Sequence, residues 1–476
     1  MGAQKLTLRK RLVAGLGTIA MASLAVFGAG TAHAAPEGQG NIDFGRQGSI
    51  TVHKHEQPEI AGAAASGAPQ DVNSPALSGV EFSIERVDID LTDPQQWEQL
   101  DGLSPDALDA EDLEDLEHIE NPVETVNGVV KFDKLPVGVY LITEGDDNGN
   151  NNIVRKAEPF IVVIPMAIER TWTYDLHVYP KNSVTALTKE LDAVADGTAY
   201  APGDTIAWNV ASKAPQLAQG DELNRFSFVD EIDSRLDFTG VSEMTYKGQP
   251  ITDAAYAVQE ADNVVTITLT EPGRDLIKAN GGGELTFTIN TTVAEGADIG
   301  TGVIANDIQQ FTTVNEQEHV VETPEATTYW GSIRILKKDK ANNKPLSDAK
   351  FQIYRNEVDA KDGKNPIKIN GAEKFTTDKN GLVEIGPLNA GADNGRTYYL
   401  VETAPPAGYQ ADDTIHSVEI TAGVADRNIV IDNIKQPAFD LPLTGAAGTG
   451  IFMLVGLALL TLGGGLYTRN RRKAQA

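Results

Sequence analysis

Three side chains late in the chain are of types that could do covalent chemistry together. Ile333, Ile335 and Lys337 fall on one face of a strand, because side chains alternate with period two. The other two on that face are apolar, so Lys337 is turned toward a core. Tyr398, Leu400 and Glu402 likewise share a face, and a closing strand from Asn428 to Ile434 carries Asn433. Burial lowers a lysine's pKa and raises a carboxylic acid's, so both can be neutral together in an apolar core. A neutral amine is a nucleophile, and a protonated Glu402 can hydrogen-bond an amide oxygen and polarise its carbon. The plainer alternative is a buried Lys–Glu ion pair satisfied by an asparagine side chain.

A fourth group is Lys181, at the end of Trp172-Thr173-Tyr174-Asp175-Leu176-His177-Val178-Tyr179-Pro180-Lys181-Asn182. Pro180 removes a backbone donor and ends the ladder, which presents the amine at an edge. At the C-terminus, Leu441-Pro442-Leu443-Thr444-Gly445 precedes an uncharged apolar run, Ile451 to Tyr467, and then Arg469, Arg471, Arg472 and Lys473. With Gly450 and Thr468 included, that run is just long enough to span a bilayer as a helix, and the basic tail places the bulk of the chain outside the cell. The N-terminus reads as a signal peptide, residues 1–34. Lys5, Arg9, Lys10 and Arg11 are followed by a largely apolar stretch from Leu12 to Phe27 and by Ala32-His33-Ala34. A mature chain from Ala35 to Thr444 has roughly 410 residues, enough for about three domains.

Those domains read as all-β. Short alternating segments are punctuated by Gly, Asn, Asp and Pro, the pattern of Ig-like sandwiches. Gly48-Ser49-Ile50-Thr51-Val52-His53-Lys54 matches Gly331-Ser332-Ile333-Arg334-Ile335-Leu336-Lys337, and Leu77 to Ile84 matches Leu346 to Ile353. Asn127-Gly128 and Asn380-Gly381 are hairpin-turn dipeptides, each followed by an alternating strand. Tyr140 to Glu144 then answers Tyr398 to Glu402. The first and last domains, residues 35–182 and 329–436, are therefore copies of one sandwich. A different β unit, 183–328, lies between them, with alternating strands at Thr205–Val210, Val265–Leu269 and Glu284–Ile289. Residues 437–476 form the C-terminal signal. The junctions, Lys181 to Ser183 and Thr323 to Tyr329, are short, which predicts a stiff rod.

Composition excludes several classes. The 476 residues include no cysteine, so any covalent staple uses other chemistry. A formal net charge of −29 argues against nucleic acid as a partner. Asp106 to Glu120 holds eight carboxylates, with Leu108, Leu113, Leu116 and Ile119 able to line one side of an exposed helix. A solvated acidic face is preferred there over a calcium site. His53 and His55 flank Lys54 and could contribute to a metal site, but without clustered carboxylates surface positions are preferred. Asp146 to Asn152 starts like a calcium loop, yet its twelfth position falls on Ala157, so it reads as a turn. No phosphate loop, Ser-His-Asp arrangement or zinc spacing is present, and no cofactor, metal or turnover enzyme is expected.

The C-terminal pentapeptide, with the apolar run and basic tail behind it, resembles the LPxTG sorting signal of Gram-positive surface proteins. The Trp172 to Asn182 stretch looks like the pilin motif of sortase-assembled fimbriae. Tyr398 to Tyr409 resembles the YxLxETxAPxGY E-box, departing from it with Ala-Pro-Pro-Ala but leaving Glu402 in register. Together these identify the chain as resembling the shaft (major) pilins of Gram-positive fimbriae. That resemblance implies cleavage between Thr444 and Gly445 and joining of Thr444 to Lys181 of the next subunit, the last subunit going to peptidoglycan. It implies a class C pilus sortase, a housekeeping sortase, identical subunits, minor tip and base pilins and host-cell or matrix receptors as partners. The place is the cell surface, with transient membrane retention. Collagen-adhesin B-type domains further imply an isopeptide bond from Lys337 to Asn433 with Glu402 as proton shuttle. Lys189, Asp230 and Asn306 resemble the A-type trio of the middle domain, where Glu231 and Asp233 are rival acids. The duplication suggests Lys54, Glu144 and Asn182 for the first domain, although Asn182 adjoins Lys181. The alternative function is a monomeric wall-anchored adhesin that binds host matrix or glycans.

Overall fold

The computed structural model describes residues 42–437 apart from 60, 61, 63, 98, 99, 101, 102, 109–115 and 425–428. The expected signal peptide, the LPLTG pentapeptide and the expected membrane helix lie outside the described residues. Among the described residues the regular structure is strand apart from short helices, and the buried apolar side chains gather in three clusters.

In the N-terminal unit Gly48–His53 pairs in parallel with Asp175–Val178 and antiparallel with Val129–Leu135. A facing sheet runs in the order Glu117–Glu124, Val80–Val87, Gly138–Asp147, Phe160–Ile164. Ile50, Val52, Phe82, Ile84, Phe132 and Ile142 fill the space between. The helix expected from Asp106 to Glu120 is not formed at its end. Glu117–Glu124 is an edge strand on Val80–Val87, where free backbone groups at the sheet edge offer it partners. Leu108 is buried in the core, with Leu116 and Ile119 packed against it.

The middle unit is two five-stranded sheets around Trp208, Phe226, Phe228 and Phe287. Its strands Thr205–Lys213, Val264–Leu269 and Glu284–Val293 contain the three segments whose alternation is visible in the sequence. In the C-terminal unit the 14-residue strand Ala326–Asp339 pairs with Leu382–Asn389, and in parallel with Ile429–Asn433. A sheet of Phe375–Thr376, Lys350–Tyr354, Arg396–Ala404 and His416–Ile420 covers the other side of the core.

Neither junction is a free linker. Lys181–Val184 is a strand that pairs in parallel with His55–Glu56 and antiparallel with Ile153–Arg155. Val184 sits in the N-terminal core, while Val154 of the N-terminal unit sits in the middle core. At the second junction Ala326–Tyr329 pairs with Val303–Asn306 of the middle unit and the same strand then continues into the C-terminal unit. Trp330 is buried in the middle core, and Ala201 of the middle unit is part of the C-terminal core.

Candidate functional site: three lysine, acid and amide centres

The C-terminal centre follows from strand register. Lys337 lies inward on Ala326–Asp339, two residues before Asp339, which faces Asn433 on the parallel closing strand. Phe351 faces Glu402 across the other sheet, and the Lys337 amine stands 5.6 Å above the Phe351 ring. Lys337 is fully buried, and its Nζ is 3.1 Å from Glu402 Oε1. The alignment is poor for a hydrogen bond, so among the described residues Lys337 Nζ and Asn433 Oδ1 have no hydrogen-bond partner. Asn433 Nδ2 donates to both Glu402 oxygens at 3.1 Å. Burial pulls the Lys337 amine below its ordinary pKa, against the opposing pull of Glu402.

The N-terminal unit repeats this geometry. Glu56, two residues after Lys54, faces Asn182, and Phe82 faces Glu144. The Lys54 amine is 2.7 Å from Glu144 Oε2, hydrogen-bonds Asn182 Oδ1, and lies 5.8 Å from the centre of the Phe82 ring. Burial lowers its pKa to about 8, despite Glu144. The structure thus brings Lys54, Glu144 and Asn182 together, where the sequence left them open.

In the middle unit Lys189 Nζ lies 2.6 Å from Asp230 Oδ2 and 2.8 Å from the Asp307 carbonyl, over the Trp208 ring at 5.7 Å. Burial lowers the lysine's pKa and raises that of Asp230. Asn306 is 2% exposed, and among the described residues neither its side-chain oxygen nor its nitrogen has a hydrogen-bond partner. Of the three acids in that stretch, Glu231 is exposed and Asp233 is engaged with Arg235, leaving Asp230 at the lysine.

Two features of the centres went unread in the sequence. Phe82, Phe351 and Trp208 form the aromatic floors, and the first two are matched in the duplication. The Asn-Gly turns also hold the lysines: Lys54 N–H donates to the Gly128 carbonyl at 2.6 Å and Lys337 N–H to that of Gly381 at 2.7 Å. Both glycines have positive φ, and a Cβ on Gly381 would come within 2.5 Å of the Lys337 carbonyl oxygen. The dipeptides read as hairpin signals are also the walls of the centres.

Lys181 differs from the other three lysines. It is half-buried and opens into a cleft of about 130 Å³ lined by Pro58, Gln70, Asp71, Val72 and Asn73. Burial alone lowers its pKa. Trp172 packs toward Trp97, with ring centres 6.2 Å apart.

The histidines beside it are half-buried and stacked. His53 lies against His177 and Tyr179, with its Nε2 2.8 Å from His177 Nδ1, so one hydrogen is shared between the rings. His55 instead contacts the Ser74 carbonyl. Among the described residues no group of three or more His, Cys, Asp or Glu could hold a metal. Burial chiefly lowers both stacked imidazoles; His177 and His55 add to this for His53, and Lys131 opposes Asp175 for His177. The unfolded chain therefore binds protons more readily than the folded one as pH falls through about 6.5. Stability from the neutral pair is complete above that pH and is lost below it. Thermal melts at pH 7 and pH 5 are expected to show this loss in the N-terminal unit. His53→Phe, which keeps a ring in the stack, should flatten the dependence, and an equal drop in that variant would rule the pair out as its source.

Comparisons with known proteins follow the same order along the chain. The family model for the Gram-positive pilin subunit D1 N-terminal domain matches residues 45–183, and that for the cell surface antigen I/II C2 terminal domain matches 180–323. The SpaA prealbumin-like fold domain matches 331–435 and the LPXTG cell wall anchor motif 433–474. The fimbrial subunit type 2 of Actinomyces naeslundii is 31% identical over 534 aligned residues, covering 98% of this chain and 97% of that protein. The chain belongs to the Gram-positive fimbrial major pilins. The fimbrial subunit type 1 of Actinomyces viscosus is 29% identical, with 96% of each chain covered. The solved full-length major pilin SpaD from Corynebacterium diphtheriae superposes with a TM-score of 0.65 at 27% identity, covering 84% of this chain and 99% of that one. This pilin is a structural shaft subunit, not an enzyme. It is a sortase substrate that polymerises with other pilins into an LPXTG-anchored surface fimbria.

Proposed function

We propose that each subunit is joined to the next by an amide bond between the Thr444 carbonyl and the Lys181 amine, and that each sandwich is closed by its own Lys–Asn isopeptide bond. A class C pilus sortase would cut Thr444–Gly445 and hold the threonyl group as a thioester. The neutral Lys181 amine attacks it, and the lowering of that amine's pKa by partial burial reduces the work of deprotonation. A housekeeping sortase would pass the last subunit to peptidoglycan, minor pilins would cap tip and base, and the apolar helix would retain the chain at the membrane meanwhile. Adhesion to host cells or matrix follows from the assembled fibre. Inside each unit, Lys54, Lys189 and Lys337 attack Asn182, Asn306 and Asn433, with Glu144, Asp230 and Glu402 carrying protons to the departing ammonia.

The observation that carries this reading is the division among the four lysines. Three are buried against an acid, while Lys181 faces a cleft. The test is a denaturing gel of wall-extracted material from cells making wild-type or Lys181→Ala protein. A high-mass ladder that collapses to monomer in the variant is expected. A single monomer band in both would leave a wall-anchored adhesin, and an unchanged ladder would move the acceptor to another lysine.

A further inference from the structure

The two outer centres share a group that no side-chain pattern could disclose. In the C-terminal unit the main-chain N–H of Asp412 donates to Glu402 Oε2 at 2.8 Å. In the N-terminal unit the main-chain N–H of Ala157 donates to Glu144 Oε2 at 3.0 Å. The two donors stand at different distances along the chain from their acids and differ in residue type, yet the contact is the same. The middle centre has no counterpart: Asp230 Oδ1 is buried and, among the described residues, has no hydrogen-bond partner. The Asp412 donor is itself held in place. Its carboxylate accepts from Thr414 N–H at 3.1 Å and pairs with His416 Nε2 at 2.8 Å.

We propose that these main-chain N–H groups are a fourth, positioning component of the outer centres, which confines the acid's transferable proton to the carboxyl oxygen they do not contact. An N–H can only donate, so the oxygen it contacts must act as acceptor. In a neutral carboxyl group that oxygen is then the carbonyl, and the proton sits on the other. In the C-terminal centre the other oxygen is Oε1, 3.1 Å from Lys337 Nζ; Asn433 Nδ2 stands 3.1 Å from both oxygens, so the contact to the lysine is what sets Oε1 apart. In the N-terminal centre it is Oε1 of Glu144, which accepts from Asn182 Nδ2. The inference rests on the isopeptide reading above. In that step the Nζ–Cγ bond forms and the Cγ–Nδ2 bond breaks. A proton leaves Nζ, another reaches Nδ2 through the acid, and ammonia departs with the acid unchanged. In the C-terminal centre Oε1 is within reach of both nitrogens, whereas in the N-terminal centre Oε2, 2.7 Å from Lys54 Nζ, takes the lysine's proton and Oε1 serves Asn182 Nδ2; neither centre needs rotation of the carboxyl group.

The N–H has a second effect. It stabilises the ionised carboxylate, so its removal keeps the acid protonated to higher pH. The charged groups around Glu402 are Lys337 and Asp412, with His416 behind Asp412 and Asp432 acting on the lysine. The test uses full chain recovered unfolded and unreacted, refolded by dilution across a pH series, with each cross-linked peptide followed by mass. Asp412→Pro deletes the N–H, and so does replacing the 411–412 amide by an ester, which perturbs the loop less. Both are expected to slow the 337–433 cross-link about tenfold, the worth of one such hydrogen bond, and to move its alkaline limb to higher pH. The 189–306 cross-link in the same molecules should be unaffected and reports folding. Asp412→Asn, which keeps the N–H and removes a neighbouring negative charge, should not move the limb to higher pH, and Ala157→Pro should slow only the 54–182 cross-link. An unchanged rate in the ester variant, or a slower rate with an unmoved limb, overturns the proposal. A wild-type chain that never loses ammonia at 337–433 overturns the bond itself, and the N–H role with it.

Discussion

Glu402→Gln protein is expected to fold but to keep the ammonia that the wild type, on the isopeptide reading proposed above, loses from its C-terminal unit, about 17 Da in intact mass. Glutamine is nearly isosteric with glutamate and can hydrogen-bond Asn433, yet it cannot take a proton from Lys337 and pass it on. The Lys337 amine would then remain buried beside a neutral amide, 5.6 Å above the Phe351 ring, with its charged form unsupported. The proposed bond would close a loop of nearly the whole unit, and the chain-entropy model assigns about 4–5 kcal/mol to a loop of roughly 100 residues. For a unit of this size that corresponds to a Tm lower by roughly 20 °C. Mass spectrometry and calorimetry on the same preparation check both parts. A variant that still loses ammonia removes Glu402 from the shuttle role.

Arg396→Ala should uncouple the middle and C-terminal units. Arg396 donates to the Asp196 carboxylate at 3.0 Å, to the Asp196 carbonyl at 2.8 Å and to the Ala199 carbonyl at 2.5 Å. Asp196 is 3% exposed and also accepts from Asn389 at 2.8 Å. Tyr200 packs edge-on to Tyr398 and lies under the guanidinium groups of Arg355 and Arg396. Removing one partner leaves a buried carboxylate facing an unfilled gap, at a cost of roughly 3–5 kcal/mol. Calorimetry should show the two units melting together in the wild type and separately in the variant, with the lower transition down by about 10 °C. A single transition at the wild-type temperature would mean that the continuous strand Ala326–Asp339 alone carries the coupling.

Much of the outer centres was legible because strand chemistry is local. Alternation turned Lys337 and Glu402 inward, and the duplication carried the same geometry to Lys54 and Glu144. The middle acid was harder to read, since Asp230, Glu231 and Asp233 crowd one strand end and only the fold shows that Arg235 occupies Asp233. The acidic stretch misled because its leucines fit a helical stripe, whereas a free sheet edge made strand pairing from Glu117 the better use of its backbone. The junctions misled for a related reason. Polar, proline-containing segments look like linkers, and the burial of Val154, Val184, Trp330 and Ala201 in a neighbour's core is a long-range event that no window of sequence reports. The Ala157 and Asp412 N–H groups left no trace, since every residue but proline has one.

The closing strand of the C-terminal unit ends at Asn433, and seven residues, Ile434 to Asp440, separate it from Leu441. Even fully extended, that leash reaches about 25 Å. On the reading proposed above, sixteen residues, 434–449, lie between that strand and the expected membrane run beginning at Gly450, so the last sandwich would assemble within about 55 Å of the lipid surface. An enzyme that cuts at Thr444, as proposed, would meet a folded body no more than about 25 Å from the Leu441 end of its site. A longer leash inserted after Lys435 would relax that crowding without altering any residue of the centres.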